Sequence, residues 1–196
     1  MARSRQLVLA STSIYRRQLL QRLALPFECA APDIDESPLP GERPQDMALR
    51  LSLAKAQAVA PRFPQALVIG SDQVAVRDGE LLGKPGSHAR ALAQLRSLSG
   101  RAADFHTAVS LLDARTGEAR SQLVSCRVVF RELDDRLIED YLRLEQPYDC
   151  AGSAKSEGLG IALIRRIETD DPTSLVGLPL IALTTMLEQA GLAVLG

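Results

Sequence analysis

Three hydroxyls and two guanidiniums stand close together in ASTSIYRR: Ser11, Thr12 and Ser13, then Arg16 and Arg17. Ser13 is a natural helix N-cap. A helix starting behind it gathers free backbone N–H groups, hydroxyls and guanidiniums at one N-terminus. Such a start binds phosphate, because its N–H groups carry partial positive charge and arginine grips phosphate oxygens with paired bonds. The plainer alternative is a capped surface helix whose arginines are solvated.

A second stretch is GSDQV at 70–74. Asp72 directly follows an apolar run, and α/β sheets place ligands at carboxyl strand ends. A carboxylate there can hold a divalent metal or take a proton from water. The competing reading is an Asp that caps its own turn. Lys84 lies in the stiff turn Gly83-Lys84-Pro85, and Lys55 lies on the preceding helix. A lone lysine is usually just solvated. Two lysines, two arginines and a strand-end acid near element junctions match what a triphosphate and its metal require.

The third stretch, YDCAGSAKSEG at 148–158, is rich in small residues that allow a flat ligand close to the backbone. Glu157 adds a carboxylate. A flexible turn has the same composition. The acidic loop with Asp33, Asp35 and Glu36 suits either completion of a metal site or plain solvation.

Missing parts exclude several chemistries. The chain has no GxxxxGK[ST] and no GxGxxG after a strand, so neither a P-loop nor a dinucleotide fingerprint is present. His88 and His106 are the only histidines, and no GxSxG turn exists for either to serve. GSDQV lacks the second acid, two residues on, that an aspartyl-phosphate phosphatase would want.

The elements that must position these groups alternate. Strands are expected at Leu7–Ala10, Phe27–Ala31, Ala66–Gly70, Phe105–Leu112, Gln122–Phe130 and Leu159–Ile164. Helices are expected at Ser13–Leu23, Pro44–Ala60, from the Ser87 cap to Leu98, from the Asp134 cap to Leu144, and at Ile181–Ala190. Asp78-Gly79 between Val74–Val76 and Leu81–Leu82 signals a hairpin. The order predicts an α/β protein with a mixed sheet flanked by helices. The 196 residues suit one domain, or one elongated domain with two lobes, large enough for a real core. A net charge of −1 excludes a global basic surface for nucleic acid, so any anion site is local. No run reaches membrane-span length, and MARSRQLVLAS lacks the apolar stretch of a signal peptide. Three widely spaced cysteines, Cys29, Cys126 and Cys150, form no metal-type or redox-type pair and suggest a reducing cytoplasm.

Together the motifs resemble the Maf nucleotide pyrophosphatases: ASTS followed by RR, then DIDE, AKA, GSDQV, GKP, SGR, HT, YDCAGSAKSEG and DPTSLVGLPL, from about Leu7 to Leu187. This many short motifs in one order is far more specific than any one alone. The resemblance implies an elongated α/β fold with a deep cleft between two lobes, similar to inosine triphosphate pyrophosphatases. It implies hydrolysis of nucleoside triphosphates to monophosphate and pyrophosphate with a divalent cation (Mg²⁺, Mn²⁺ or Co²⁺). It also implies a house-cleaning role in nucleotide metabolism, in some members linked to arrest of cell division, and members are often dimers. GSDQV and CAGSxKSEG resemble the members acting on 7-methyl-GTP. Members acting on dTTP and UTP tend instead to have DTVV after the strand, Gln in the late loop and Arg near the first motif.

Carried onto this chain, the resemblance makes Asp72 the general base or metal-linked acid, with Glu36 assisting at the metal. Lys55, Lys84, Ser11, Ser13, Arg16 and Arg17 then position the triphosphate. Tyr15, Gln73 and Glu157 select the base. The family's usual Pro after the second serine is Ile14 here, and Tyr15 replaces a frequent Trp. Methylation at N7 makes guanine cationic, so an aromatic face at Tyr15 and a carboxylate at Glu157 suit it. Two other functions fit the same residues: a nucleotide-sensing module without turnover, and a pyrophosphatase for other non-standard nucleotides.

Overall fold

The computed structural model describes residues 5–195. Its strands are β1 (Leu7–Leu9), β2 (Glu28–Cys29), β3 (Leu67–Arg77), β4 (Glu80–Leu82), β5 (Ala102–Asp113), β6 (Ala119–Phe130) and β7 (Ile164–Thr169). Its α-helices are α1 (Ile14–Gln21), α2 (Pro44–Val59), α3 (His88–Leu98), α4 (Asp135–Glu145) and α5 (Leu180–Gln189). The strands hydrogen-bond in the order β2-β1-β3-β5-β6-β7, with β4 on β3. Strand β1 pairs in parallel with β2 and β3, whereas β3–β4 and β6–β7 are antiparallel. The sheet is therefore mixed, as expected.

The chain divides into two compact units. The first comprises Met1–Gln73, Thr107–Val124 and Asp171–Gly196, and the second Val74–His106 and Ser125–Asp170. Side chains alternate between the faces of a strand, and in the first unit both faces are covered. Leu7, Leu9, Leu67 and Ile69 face one way and pack with Leu19 and Leu20 of α1 and Leu183, Met186 and Leu187 of α5. Val8 and Val68 face the other way and pack with Ala56 and Val59 of α2. Double coverage explains why these strands read as unbroken apolar runs. Each fully buried leucine contributes roughly 1.5–3 kcal/mol.

In the second unit, Asp78 and Gly79 both have positive φ, which is the turn that joins β3 to β4. Helix α3 starts on Ser87, whose hydroxyl accepts from Arg90 N. Helix α4 starts on Asp134 and buries Ile138, Tyr141 and Leu142, one stripe at helical spacing.

Two expectations about strands are corrected. Leu159–Leu163 forms a 3-10 turn, and the strand is displaced to Ile164–Thr169. Gly160 packs so closely on the backbone of Lys155 that a Cβ would collide there, and this contact folds the segment back. More consequentially, the third strand does not end at Gly70. It continues through GSDQV to Arg77, so Asp72 lies inside β3 rather than beyond its end. The turn-forming residues are tolerated because their polar groups find partners on neighbouring segments. Ser71 Oγ, for example, stands 2.8 Å from Ala108 O and 2.9 Å from Gly177 O.

Candidate active site

The site in the first unit is built on the strand alternation of β3. Val68, Gly70 and Asp72 point to the face covered by α2, and Ile69, Ser71 and Gln73 to the opposite face. A Cβ on Gly70 would fall on the carbonyl oxygen of Ser52. Glycine at this position therefore lets α2 approach the strand closely. Lys55, one turn further along α2, thereby meets Asp72 two residues further along β3.

Lys55 is buried, and its ammonium lies 2.6 Å from Asp72 Oδ1 and 3.0 Å from Glu36 Oε1. One cation thus sits between two carboxylates. Asp72 is 6% exposed, whereas the Glu36 side chain is 58% exposed. Burial pushes the Asp72 carboxyl above the ordinary aspartate range, against the pull of Lys55 and Arg16. Burial likewise lowers Arg16 from its usual value, with Asp72 and Glu36 opposing the shift. Arg16 therefore lies in the field of both acids, and its Nε donates to Gly177 O at 2.8 Å.

Helix α1 begins as the hydroxyl pattern predicts. Ser13 is the N-cap and its Oγ accepts from Arg16 N at 3.4 Å, while Ser11 Oγ accepts from Ser13 N at 3.1 Å. Both hydroxyls accept through oxygen, so each keeps its own proton to donate. Strand β1 stops at Leu9 opposite Ile69, so Gly70–Gln73 have no partner in β1, and the Ser11–Arg16 segment follows directly from that strand end.

Two expected residues stand elsewhere. Arg17 does not join Arg16, because consecutive helical residues diverge by about 100°. It is exposed and lines a groove of 440 Å³ with Gln21, Leu25, Pro26, Phe27 and Cys29. Gln73 faces away from Asp72, and its Nε2 lies 2.9 Å from Thr107 Oγ1 and 3.0 Å from the carbonyls of Ser174 and Leu175. Its amide nitrogen is engaged in holding that turn. The expected strand-end location of Asp72 is replaced by a position within β3. Tyr15 is half-buried in the first turn of α1.

Lys84 and Glu157 belong to the second unit, and both are exposed. Around Glu157, Lys155 Nζ donates to Glu145 at 2.8 Å and Lys155 N to Tyr141 Oη at 3.0 Å, fixing the loop. Gly152 has φ +73° and abuts the Phe105 ring, so a Cβ there would be strained by the backbone and would press on the ring.

Sequence reading passes over several residues that hold the site. Asp171, 2% exposed, accepts from Thr173 N, Thr173 Oγ1 and Ile181 N, and so ties the DPTS segment to the start of α5. The Asp-Pro-Thr spacing makes the turn onto Thr173 N legible, but the contact with Ile181 N is not, since Asp171 lies nine residues before α5. Arg50 and Glu42, which pin the acidic loop, leave no such signal.

A mixed, helix-covered sheet that carries a buried Asp72–Lys55 pair, joined by the exposed Glu36, beside a capped helix start defines an α/β protein with a site suited to phosphate chemistry. The model for the family described as Maf-like protein matches residues 6–190, and the chain belongs to that family. A relative from Cupriavidus pinatubonensis, named 7-methyl-GTP pyrophosphatase, is 63% identical over 186 residues, covering 95% of this chain and 94% of its own. One from Polaromonas sp. with the same name is 63% identical over 190 residues, covering 97% and 87%. Among solved structures, that of the Staphylococcus aureus Ham1 protein covers 65% of this chain and 73% of its own, at 16% identity and a TM-score of 0.47. The fold class rests on the sheet order itself. Among the described residues no helix is long and apolar enough to cross a membrane.

Proposed function

We propose that the protein hydrolyses 7-methyl-GTP to 7-methyl-GMP and pyrophosphate with the help of a divalent cation. The observation that carries the reading is the Lys55 ammonium held between Asp72 and Glu36, with Arg16 in the field of both. The substrate is taken from the name of relatives 63% identical over nearly the whole chain.

In this reading, water attacks the α-phosphorus and its proton passes to Asp72. The bond from the α-phosphorus to the bridging oxygen breaks, and pyrophosphate leaves. Burial raises the proton affinity of Asp72, which suits it to accept a proton, while Lys55 and Arg16 favour its charged form. Arg16 offsets the charge that develops on the phosphates. Ser11 and Ser13 donate their hydroxyl protons to phosphate oxygens. Lys84 and Glu157 enter on the chemistry of their motifs: Lys84 as a free cation for phosphate, and Glu157 as an acceptor for guanine N–H groups that also favours a cationic base. Tyr15 offers the aromatic face.

Asp72 and Glu36 are the residues to hold the metal. Two carboxylates with phosphates completing the shell suit Mg²⁺ or Mn²⁺. No cluster of three or more His, Cys, Asp or Glu exists among the described residues, so the substrate would have to complete the coordination. When bound, the cation supplies positive charge and acidifies water.

The test is the pure protein with Mg²⁺ or Mn²⁺ against 7-methyl-GTP, GTP, dTTP and UTP. The expected result is pyrophosphate and monophosphate in equal amounts, fastest from 7-methyl-GTP. Tight binding without turnover would make the protein a nucleotide sensor. Equal rates on all four would remove the base preference.

A further inference from the structure

Glu36 poses a positioning problem. Its side chain is largely exposed on a loop between β2 and α2, yet it reaches Lys55 at 3.0 Å. A long, exposed side chain on a free loop would lose that contact to side-chain entropy. Something must fix the loop.

That fixing comes from α2. Glu42 accepts from Arg50 through both oxygens, at 2.5 Å from Nε and 2.7 Å from Nη2. Paired bonds of this kind set direction as well as distance. The same Nη2 reaches Ser37 O at 3.1 Å, and Glu42 Oε2 also accepts from Leu39 N at 3.1 Å. Ser37 N in turn donates to Asp35 Oδ1 at 2.9 Å, which closes a turn across Glu36 itself. The Glu42 side chain is only 8% exposed, and its pKa falls to about 2, first through its hydrogen bonds from Arg50. Arg50 and Lys55 stand five residues apart on one helix, about 7.5 Å along its axis. The helix that carries Lys55 therefore also sets where Glu36 stands.

We propose that Arg50, paired with Glu42, is a positioning residue that acts through Glu36. It docks the acidic loop onto α2 so that Glu36 stays against Lys55 and Asp72. The proposal rests on the functional reading above for its catalytic consequence, and on the hydrogen bonds alone for its structural one. A pair that served only stability would be indifferent to whether residue 36 is acidic.

The experiment uses the full chain with Arg50→Ala, Glu36→Ala and the double variant, and with the reversed pair Glu42→Arg/Arg50→Glu. Amide hydrogen exchange at Ser37 and Leu39 reads the loop without any turnover. Arg50→Ala should raise exchange there at least tenfold and leave the amides of α2 unchanged. Pyrophosphate release reads the consequence: Arg50→Ala should lower kcat about tenfold with KM changed less than threefold. In the Glu36→Ala background the same change should cost less than twofold, and the reversed pair, whose side chains can meet each other but not Ser37 O or Leu39 N, should recover only a minor part of the loss. Unchanged exchange at Ser37 and Leu39 overturns the docking, whatever the activity. A full tenfold loss that persists without Glu36 overturns the route through Glu36. If exchange rises as expected but Glu36→Ala turns over like wild type, the docking stands and the catalytic assignment of Glu36 falls. If α2 also exchanges faster, the pair merely stabilises the fold and the proposal fails.

Discussion

The cluster around Lys55 and the loops carrying Lys84 and Glu157 hold charged groups in opposite ways. Lys55 and Asp72 are buried, and each is committed to a partner. Lys84 and Glu157 are exposed, and among the described residues Lys84 makes no ion pair. Burying a charge is expensive, and it persists only where geometry supplies a counter-charge. The first region therefore had to be built by packing: Gly70 admits α2, and α2 delivers Lys55. The second region needed only turns that present a side chain to water. Substitutions in the first should cost stability as well as activity, and those in the second activity alone.

The largest effect should come from Asp72→Asn. Losing the proton acceptor should lower kcat roughly a hundred- to ten-thousand-fold. A soluble variant with near wild-type kcat removes Asp72 from the chemistry. Lys55→Met comes next and tests the buried region directly. It leaves Asp72 buried beside Glu36 without its nearest cation, which should cost about 3–5 kcal/mol at neutral pH. Asp72 already has a raised pKa in the folded state, so protonation favours folding and its ionisation opposes it. Stability linked to Asp72 is thus present at low pH and lost as pH rises through the folded pKa. The Lys55→Met deficit should therefore shrink on acidification, as denaturant melts at pH 5 and pH 7 would report. A deficit that grows at pH 5 would refute the sign.

Gly70→Ala separates packing from charge, since it removes no polar group. Its Cβ meets the Ser52 carbonyl, so α2 must shift, at a cost of about 1–3 kcal/mol. Activity should fall beyond what stability explains, because Lys55 moves with the helix. Wild-type melting and turnover would mean that the close approach does not matter.

The smallest stability effects should be those of Lys84→Ala and Glu157→Gln, each within about 0.5 kcal/mol of wild type by denaturant melts. Lys84→Ala should still lower kcat/KM for every triphosphate. Glu157→Gln should reduce kcat/KM for 7-methyl-GTP more than for GTP, because both nucleotides offer the same N–H donors and only one carries the added positive charge. Equal losses on both would leave Glu157 as a general guanine contact. If either variant unfolds, the contrast between the two regions fails.

Much of this was legible because it depends on neighbours in sequence. Caps at Ser13, Ser87 and Asp134 and the Asp78-Gly79 turn follow from local backbone chemistry, and each stands where the pattern puts it. The motifs also single out Lys55, Asp72 and Glu36. Their contact was not legible, nor was the path of β3. Gly-Ser-Asp reads as a turn on local propensity, but here the glycine admits a helix and the serine finds carbonyls from β5 and the segment before α5. Only the tertiary structure decided which face of the strand each residue would use. A two-residue period separates Asp72 from Gln73 as soon as the strand continues, and a helical step separates Arg16 from Arg17 in the same way. The sequence thus determined which groups are present and how each element starts. Packing, which brings together residues as distant as Arg16 and Gly177, determined which of them meet.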